Sequence, residues 1–134
     1  NNFFFRLKII KLHPSLKIGY LSYVKHCEIG ENVSILDNTY VIDCIIGDFT
    51  YINSNSKFRN THIGKFTSIG CDVKSGLGLH PTHFVSTHPA FYSNKESIYT
   101  FCDHSHYEEF KVINIGNDVW IGDRVMIMDG VTIG

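Results

Sequence analysis

Apolar residues recur along this chain in a rhythm that is neither helical nor strictly alternating. Leu12, Ile18 and Val24 are followed by Ile29, Ile35 and Val41, then Ile46, Ile52 and Phe58, then Ile63, Ile69 and Ser75. The steps are six, six and five, so equivalent positions fall 17 apart. After a long interruption the pattern resumes at Ile115, Ile121, Ile127 and Ile133. Fifteen of these sixteen residues are aliphatic or Phe, with Ser75 the exception. Glycine occupies the next position at 19, 30, 47, 64, 70, 76, 116, 122 and 134, which places nine of the eleven glycines in one phase. Four residues after the first phase stand small or β-branched residues such as Val33, Thr39, Thr50, Ser56, Thr67 and Val73; Glu28 and His62 interrupt this phase.

A six-residue period suits a short strand and a turn, with three such units closing one coil. The Ile-type side chain points into the coil, and Gly is expected to supply the tight corner conformation. Each coil then pairs in parallel with the next at about 4.8 Å, and a ladder of Ile fills the interior. One coil has no core of its own, so stability comes from stacking. No stretch between residues 12 and 76 offers a capped amphipathic helix, which argues against an α/β domain.

Units such as Ile29-Gly30-Glu31-Asn32-Val33-Ser34 and Ile63-Gly64-Lys65-Phe66-Thr67-Ser68 resemble the hexapeptide repeats of left-handed β-helix acyltransferases. The stretch Ile115-Gly116-Asn117-Asp118-Val119-Trp120-Ile121-Gly122 is similar to that family's signature after its loop. The resemblance covers residues 12–134 and implies an all-β, left-handed parallel β-helix (a hexapeptide-repeat solenoid) with one long inserted loop. Handedness comes from the resemblance, not from the period. The expected organisation is an N-terminal extension over 1–11 and a single domain over 12–134, with the insertion at 77–114.

Composition narrows the function classes. The 134 residues are 43% hydrophobic, enough for a core. Twelve Lys plus Arg face thirteen Asp plus Glu, a balance that argues against a nucleic-acid or membrane-surface partner. No apolar run is long enough to span a bilayer, and Phe3-Phe4-Phe5 is too short for a signal peptide. None of the four cysteines forms a CxxC pair. They read as reduced thiols of a cytoplasmic protein, with Cys27 and Cys44 stacked on adjacent coils. The chain opens without Met and stops at Val131-Thr132-Ile133-Gly134. Both ends read as cut points, with further coils expected beyond and weak CoA binding expected of the 134 residues.

The insertion holds five of the eight His and two of the three Pro. Long irregular loops in regular solenoids are usually functional. Residues 80–92, His80-Pro81-Thr82-His83-Phe84-Val85-Ser86-Thr87-His88-Pro89-Ala90-Phe91-Tyr92, resemble the HP-x3-VST-x-P-x-FY segment of sugar and polysaccharide acetyltransferases. That resemblance implies His80 as general base, acetyl-CoA as co-substrate, no metal, and a homotrimer with sites between subunits. The chemistry suits the residue: a sugar hydroxyl is a poor nucleophile, and an imidazole can hold its proton near neutral pH and return it to the departing thiol. Pro81 restricts the backbone of His80.

Ser86, Thr87, His88, Tyr92 and Glu108 are candidates for the acceptor subsite. Ser86 and Thr87 equally suit local backbone bonds, and Glu108 and Glu109 equally suit a solvated pair. Phe91, Tyr92, Tyr99, Phe101 and Tyr107 suit either a sugar-stacking surface or an aromatic mini-core that holds the loop to the solenoid or to a neighbouring subunit, the latter preferred. Trp120 should point outward; the resemblance assigns it to the acyl-CoA or acceptor pocket, with Gly122 beside it on the acyl-CoA side, and trimer packing is the other reading. The expected activity is transfer of acetyl to a hydroxyl of a sugar or surface-polysaccharide precursor. An antibiotic acceptor or sugar N-acetylation is the nearest alternative. A gamma-class carbonic anhydrase-like metal enzyme, using His83, His88 and the His104/His106 pair, and a non-catalytic solenoid are more distant.

Overall fold

The computed structural model describes residues 14–95 and 99–134. Leu12 and the N-terminal extension lie outside the described residues. The first coil contains β1 (Lys17–Ile18), β2 (Tyr23–Lys25) and β3 (Glu28–Ile29). The second holds β4 (Ser34–Ile35), β5 (Tyr40–Ile42) and β6 (Ile45–Ile46), and the third β7 (Tyr51–Ile52), β8 (Lys57–Arg59) and β9 (Thr61–Ile63). The fourth runs through β10 (Ser68–Ile69) and β11 (Lys74–Ser75), leaves for the loop, and closes with β12 (Ile113–Ile115). The fifth contains β13 (Trp120–Ile121), β14 (Met126–Ile127) and β15 (Thr132–Ile133).

Every third strand pairs in parallel, which builds three five-stranded sheets, one per face of the solenoid. This is an all-β parallel β-helix with one long insertion, consistent with left-handed winding. The register is the sequence period made physical. Ile18, Ile35, Ile52, Ile69 and Ile121 stack on the first face, and Ile29, Ile46, Ile63, Ile115 and Ile133 on the third. Across the loop, Ile69 pairs with Ile121 as directly as Ile52 pairs with Ile69. The coils therefore close beneath the excursion without interruption. The ladder is sealed: Ile35, Ile46, Ile52 and Ile69 are each at most 1% exposed.

Two details revise the sequence reading. The third face is one residue shorter than the others, so its second inward position is Cys27, Cys44, Thr61 and Ile113; Cys44, Thr61 and Ile113 are buried and Cys27 packs against the core. Glu28, Ile45 and His62 stand beside them and point outward. The apparent break in the small-residue phase is this five-residue step. Ser75, the polar exception in the ladder, is buried with its Oγ 2.7 Å from the Thr61 hydroxyl, so the pair satisfies itself inside the core.

The second revision concerns glycine. Of the nine glycines in the repeat phase, only Gly76 has positive φ. Among the described residues the left-handed corners belong instead to Gly130, outside the repeat phase, and to twelve non-glycine residues, seven of them Asn or Asp, whose short polar side chains tolerate that conformation. Gly is required because the next coil passes too closely. A Cβ on Gly64 would lie 2.5 Å from the Gly116 carbonyl, and one on Gly30 would lie 2.4 Å from Oδ1 of Asp48. That same Asp48 oxygen accepts the Glu31 N–H at 2.9 Å. Asp37, Asn117 and Asp123 do the same for Tyr20, Lys65 and Cys71. Glycine thus clears the space through which one coil's side chain caps its neighbour's backbone.

Candidate functional site

The loop leaves the solenoid after β11, at the corner between the second and third faces. Gly76 takes φ +68 there, and a Cβ would strike the Arg59 carbonyl oxygen at 2.3 Å. The stem is clasped by Asp129, a buried carboxylate from the fifth coil. Its Oδ2 accepts the Gly78 N–H at 2.8 Å and its Oδ1 the Lys111 N–H at 3.2 Å, so one side chain holds both ends of the excursion. The Glu109 carbonyl accepts the Leu79 N–H at 2.8 Å. Sequence reading did not single out Asp129; its only signal is an acidic residue where the earlier coils place Asn60 and Asp43.

His80 follows this stem directly. Its Nδ1 lies 2.9 Å from the Thr87 carbonyl oxygen and 2.9 Å from the Tyr92 hydroxyl. A carbonyl only accepts, so Nδ1 carries the proton and the Tyr92 oxygen shares it. Nε2 is left with the lone pair, on a ring that is exposed. The ring is thus held through Nδ1 while the residue stays exposed.

Tyr92 is wholly enclosed. Burial, with Glu109 and Tyr107 nearby, pushes its phenol above the ordinary range, so it remains a hydroxyl. Its ring packs edge-on against Phe84 and Tyr107, with centroids 6.4 and 5.8 Å away. The preferred mini-core reading therefore fits Tyr92 and Tyr107. Phe91, Tyr99 and Phe101 meet one another at tilted and edge-on angles at the surface of the single chain, 57%, 83% and 70% exposed.

The other candidates separate by role. Ser86 Oγ accepts the His88 N–H at 3.1 Å, and His88 Nδ1 accepts the Ala90 N–H at 3.1 Å, capping the short 3-10 turn Pro89–Phe91. Both side chains thus shape the segment that presents the Thr87 carbonyl to His80. Tyr92, counted among the acceptor contacts, is enclosed and meets His80 instead. Glu108 is exposed, 3.9 Å from Lys111. The buried acid is its neighbour Glu109, which accepts from Ser93 Oγ at 3.1 Å and pairs with Lys95 at 2.5 Å. Lys95 also lies over the Phe110 ring at 4.0 Å.

An open recess of about 580 Å³ lies along the loop, lined by His83, Phe84, Val85, Ser86 and Phe91. Trp120 points outward, 83% exposed, on the first face, and a Cβ at Gly122 would meet nothing. Both stand on a different face from the loop stem. His83 packs against Phe84 and Tyr107, and neither it nor His88 joins a group of three metal-ligating side chains among the described residues. Among the described residues no helix is long and apolar enough to cross a membrane.

No protein-family model matches the chain, and no curated protein matches it at a significant level.

Proposed function

We propose that the protein transfers an acetyl group from acetyl-CoA to a hydroxyl of a sugar or polysaccharide precursor, with His80 as general base. The observation that carries this reading is the fixed imidazole: Nδ1 donates to the Thr87 carbonyl, which leaves the lone pair on Nε2 of an exposed residue. In the reaction Nε2 takes the proton of the acceptor hydroxyl as its oxygen attacks the thioester carbonyl carbon. The C–S bond then breaks and the imidazolium returns the proton to the departing sulfur. The carbonyl and phenol oxygens on Nδ1 strengthen their hold as the ring becomes positive. The apolar recess beside Phe84 and Phe91 supplies ring surface on which a sugar can stack.

Trp120 and Gly122 stand on another face from the loop stem, an arrangement that suits an acyl donor bound where a second copy of the chain approaches. This supports a homotrimer with sites between subunits.

The test is His80→Ala in an acetyl-CoA assay against a panel of sugar acceptors, with free thiol release as readout. The expected result is normal folding and a rate lowered at least hundredfold, in line with the usual contribution of a general base of about 10²–10⁴. Turnover at the unsubstituted rate would remove His80 from the mechanism.

A further inference from the structure

A second cluster of chemistry-bearing side chains lies further along the loop and takes no part in the His80 arrangement. Asp103, His104 and His106 are all exposed, and one ligand atom from each lies within 4.8 Å of the other two. The two imidazole centroids are 4.0 Å apart, and His104 Nδ1 is 2.6 Å from an Asp103 carboxylate oxygen. We propose that Asp103, His104 and His106 bind a divalent transition-metal ion of the zinc class, with water completing its coordination.

The distances support this. Metal bonds of about 2.0–2.2 Å to nitrogen and carboxylate oxygen put neighbouring ligand atoms about 3.3 Å apart in a tetrahedral site. Side-chain rotations on the order of an ångström close a set that already lies within 4.8 Å, and exposed side chains can make them without moving the backbone. Two imidazoles and one carboxylate suit Zn²⁺, Co²⁺, Ni²⁺ or Cu²⁺ rather than Mg²⁺ or Ca²⁺, which prefer all-oxygen sites.

The backbone beneath the ligands is held in place. Asn94 Nδ2 donates to the Asp103 carbonyl at 3.0 Å, Ser105 Oγ donates to Asn94 Oδ1 at 2.8 Å, and the Asn94 N–H donates to Ser105 Oγ at 3.2 Å. The His106 N–H donates to the Tyr92 carbonyl at 2.7 Å. The ligand segment is thus tied to the loop segment whose Tyr92 and Ser93 are wholly buried. Binding an ion therefore orders three side chains rather than a whole loop, which lowers its entropic cost.

The inference does not depend on the reading of His80, and its test needs no activity. Untagged, chelator-treated protein is titrated with Zn²⁺ and with Mg²⁺ by calorimetry, alongside the exposed-site double variant His104→Ala/His106→Ala. Circular dichroism verifies that this variant is folded. Paramagnetic Co²⁺ then locates the ion by NMR line broadening. Expected are saturable Zn²⁺ binding at one ion per chain, at least a hundredfold weaker binding in the double variant, no matching Mg²⁺ binding, and broadening centred on residues 103–106. Asn94→Ala, which keeps the ligands and removes their tether, should weaken binding several-fold. Absence of saturable Zn²⁺ binding, unchanged affinity in the double variant, or broadening centred on the Cys27/Cys44 corner would overturn the proposal.

Discussion

Replacing Asp129 by Ala should release the loop from the solenoid while leaving the coils intact. The Asp129 carboxylate is 6% exposed and accepts two backbone N–H groups, from Gly78 at 2.8 Å and Lys111 at 3.2 Å. A hydrogen bond to a charged group contributes about 1.5–3 kcal/mol. The shorter bond, to half-buried Gly78, belongs in that range. The longer one ends at exposed Lys111, where water can substitute, and counts for about 0.5–1 kcal/mol. Together they come to about 2–4 kcal/mol, which corresponds to a loop-opening equilibrium raised by about 30- to 1000-fold. Hydrogen exchange resolved by residue reads this directly. The amides of Leu79, Phe101 and His106, bonded to Glu109, Ala90 and Tyr92 respectively, should exchange faster by that factor. The Asn53 amide, bonded to Ile69 in the coil stack, should keep its rate. Asp129→Asn retains one acceptor oxygen and should fall between the two. If the loop amides of Asp129→Ala exchange within twofold of the unsubstituted protein, the clasp contributes nothing and the argument fails.

Other expectations follow from the same packing. Gly64→Ala drives a Cβ to 2.5 Å from the Gly116 backbone. Because the neighbour is main chain, it should destabilise by several kcal/mol, about the upper range of point substitutions, seen as a lowered urea midpoint; a midpoint like the parent's would mean the coils can separate freely. Ile52→Ala removes a fully buried rung and should cost about 2–5 kcal/mol in the same assay. Tyr92 is held above the ordinary phenol range by burial first and Glu109 second. Above about pH 10 the unfolded chain loses this proton while the folded chain keeps it, so stability should fall with rising pH, by up to about 1.4 kcal/mol per unit, until the folded group also ionises. Tyr92→Phe should flatten that component of the alkaline denaturation profile, and an unchanged slope would show that the phenol is not protected.

Much of the architecture could be read directly. Ile18, Ile35, Ile52 and Ile69 are spaced so that only a closed coil of 17 residues puts all four on one interior line, and they pair in that register. His80 was legible through the motif around it and its place straight after a coil; its contacts with Thr87 and Tyr92 came only from the fold. Less legible were the reasons behind the pattern. Glycine in the repeat looked like a corner residue. Its role is spatial, set by a coil distant in sequence, and nothing local to Gly64 announces Gly116. Glu28 and His62 looked like defects because the strand phase of the short third face is visible only once the coil closes. Glu108 and Glu109 are adjacent carboxylates of the same type, and burial alone distinguishes them.

Periodicity along one dimension thus sufficed for the solenoid, since each coil repeats the contacts of the one before and a local pattern implies the stack. The loop has no such repetition. Its shape depends on contacts between Asp129 and Gly78, Tyr92 and His80, and Asn94 and Ser105, each made once between residues whose separation no period encodes. For that reason the tautomer of His80, the enclosure of Tyr92 and the convergence of Asp103, His104 and His106 became visible only when the chain was folded in space.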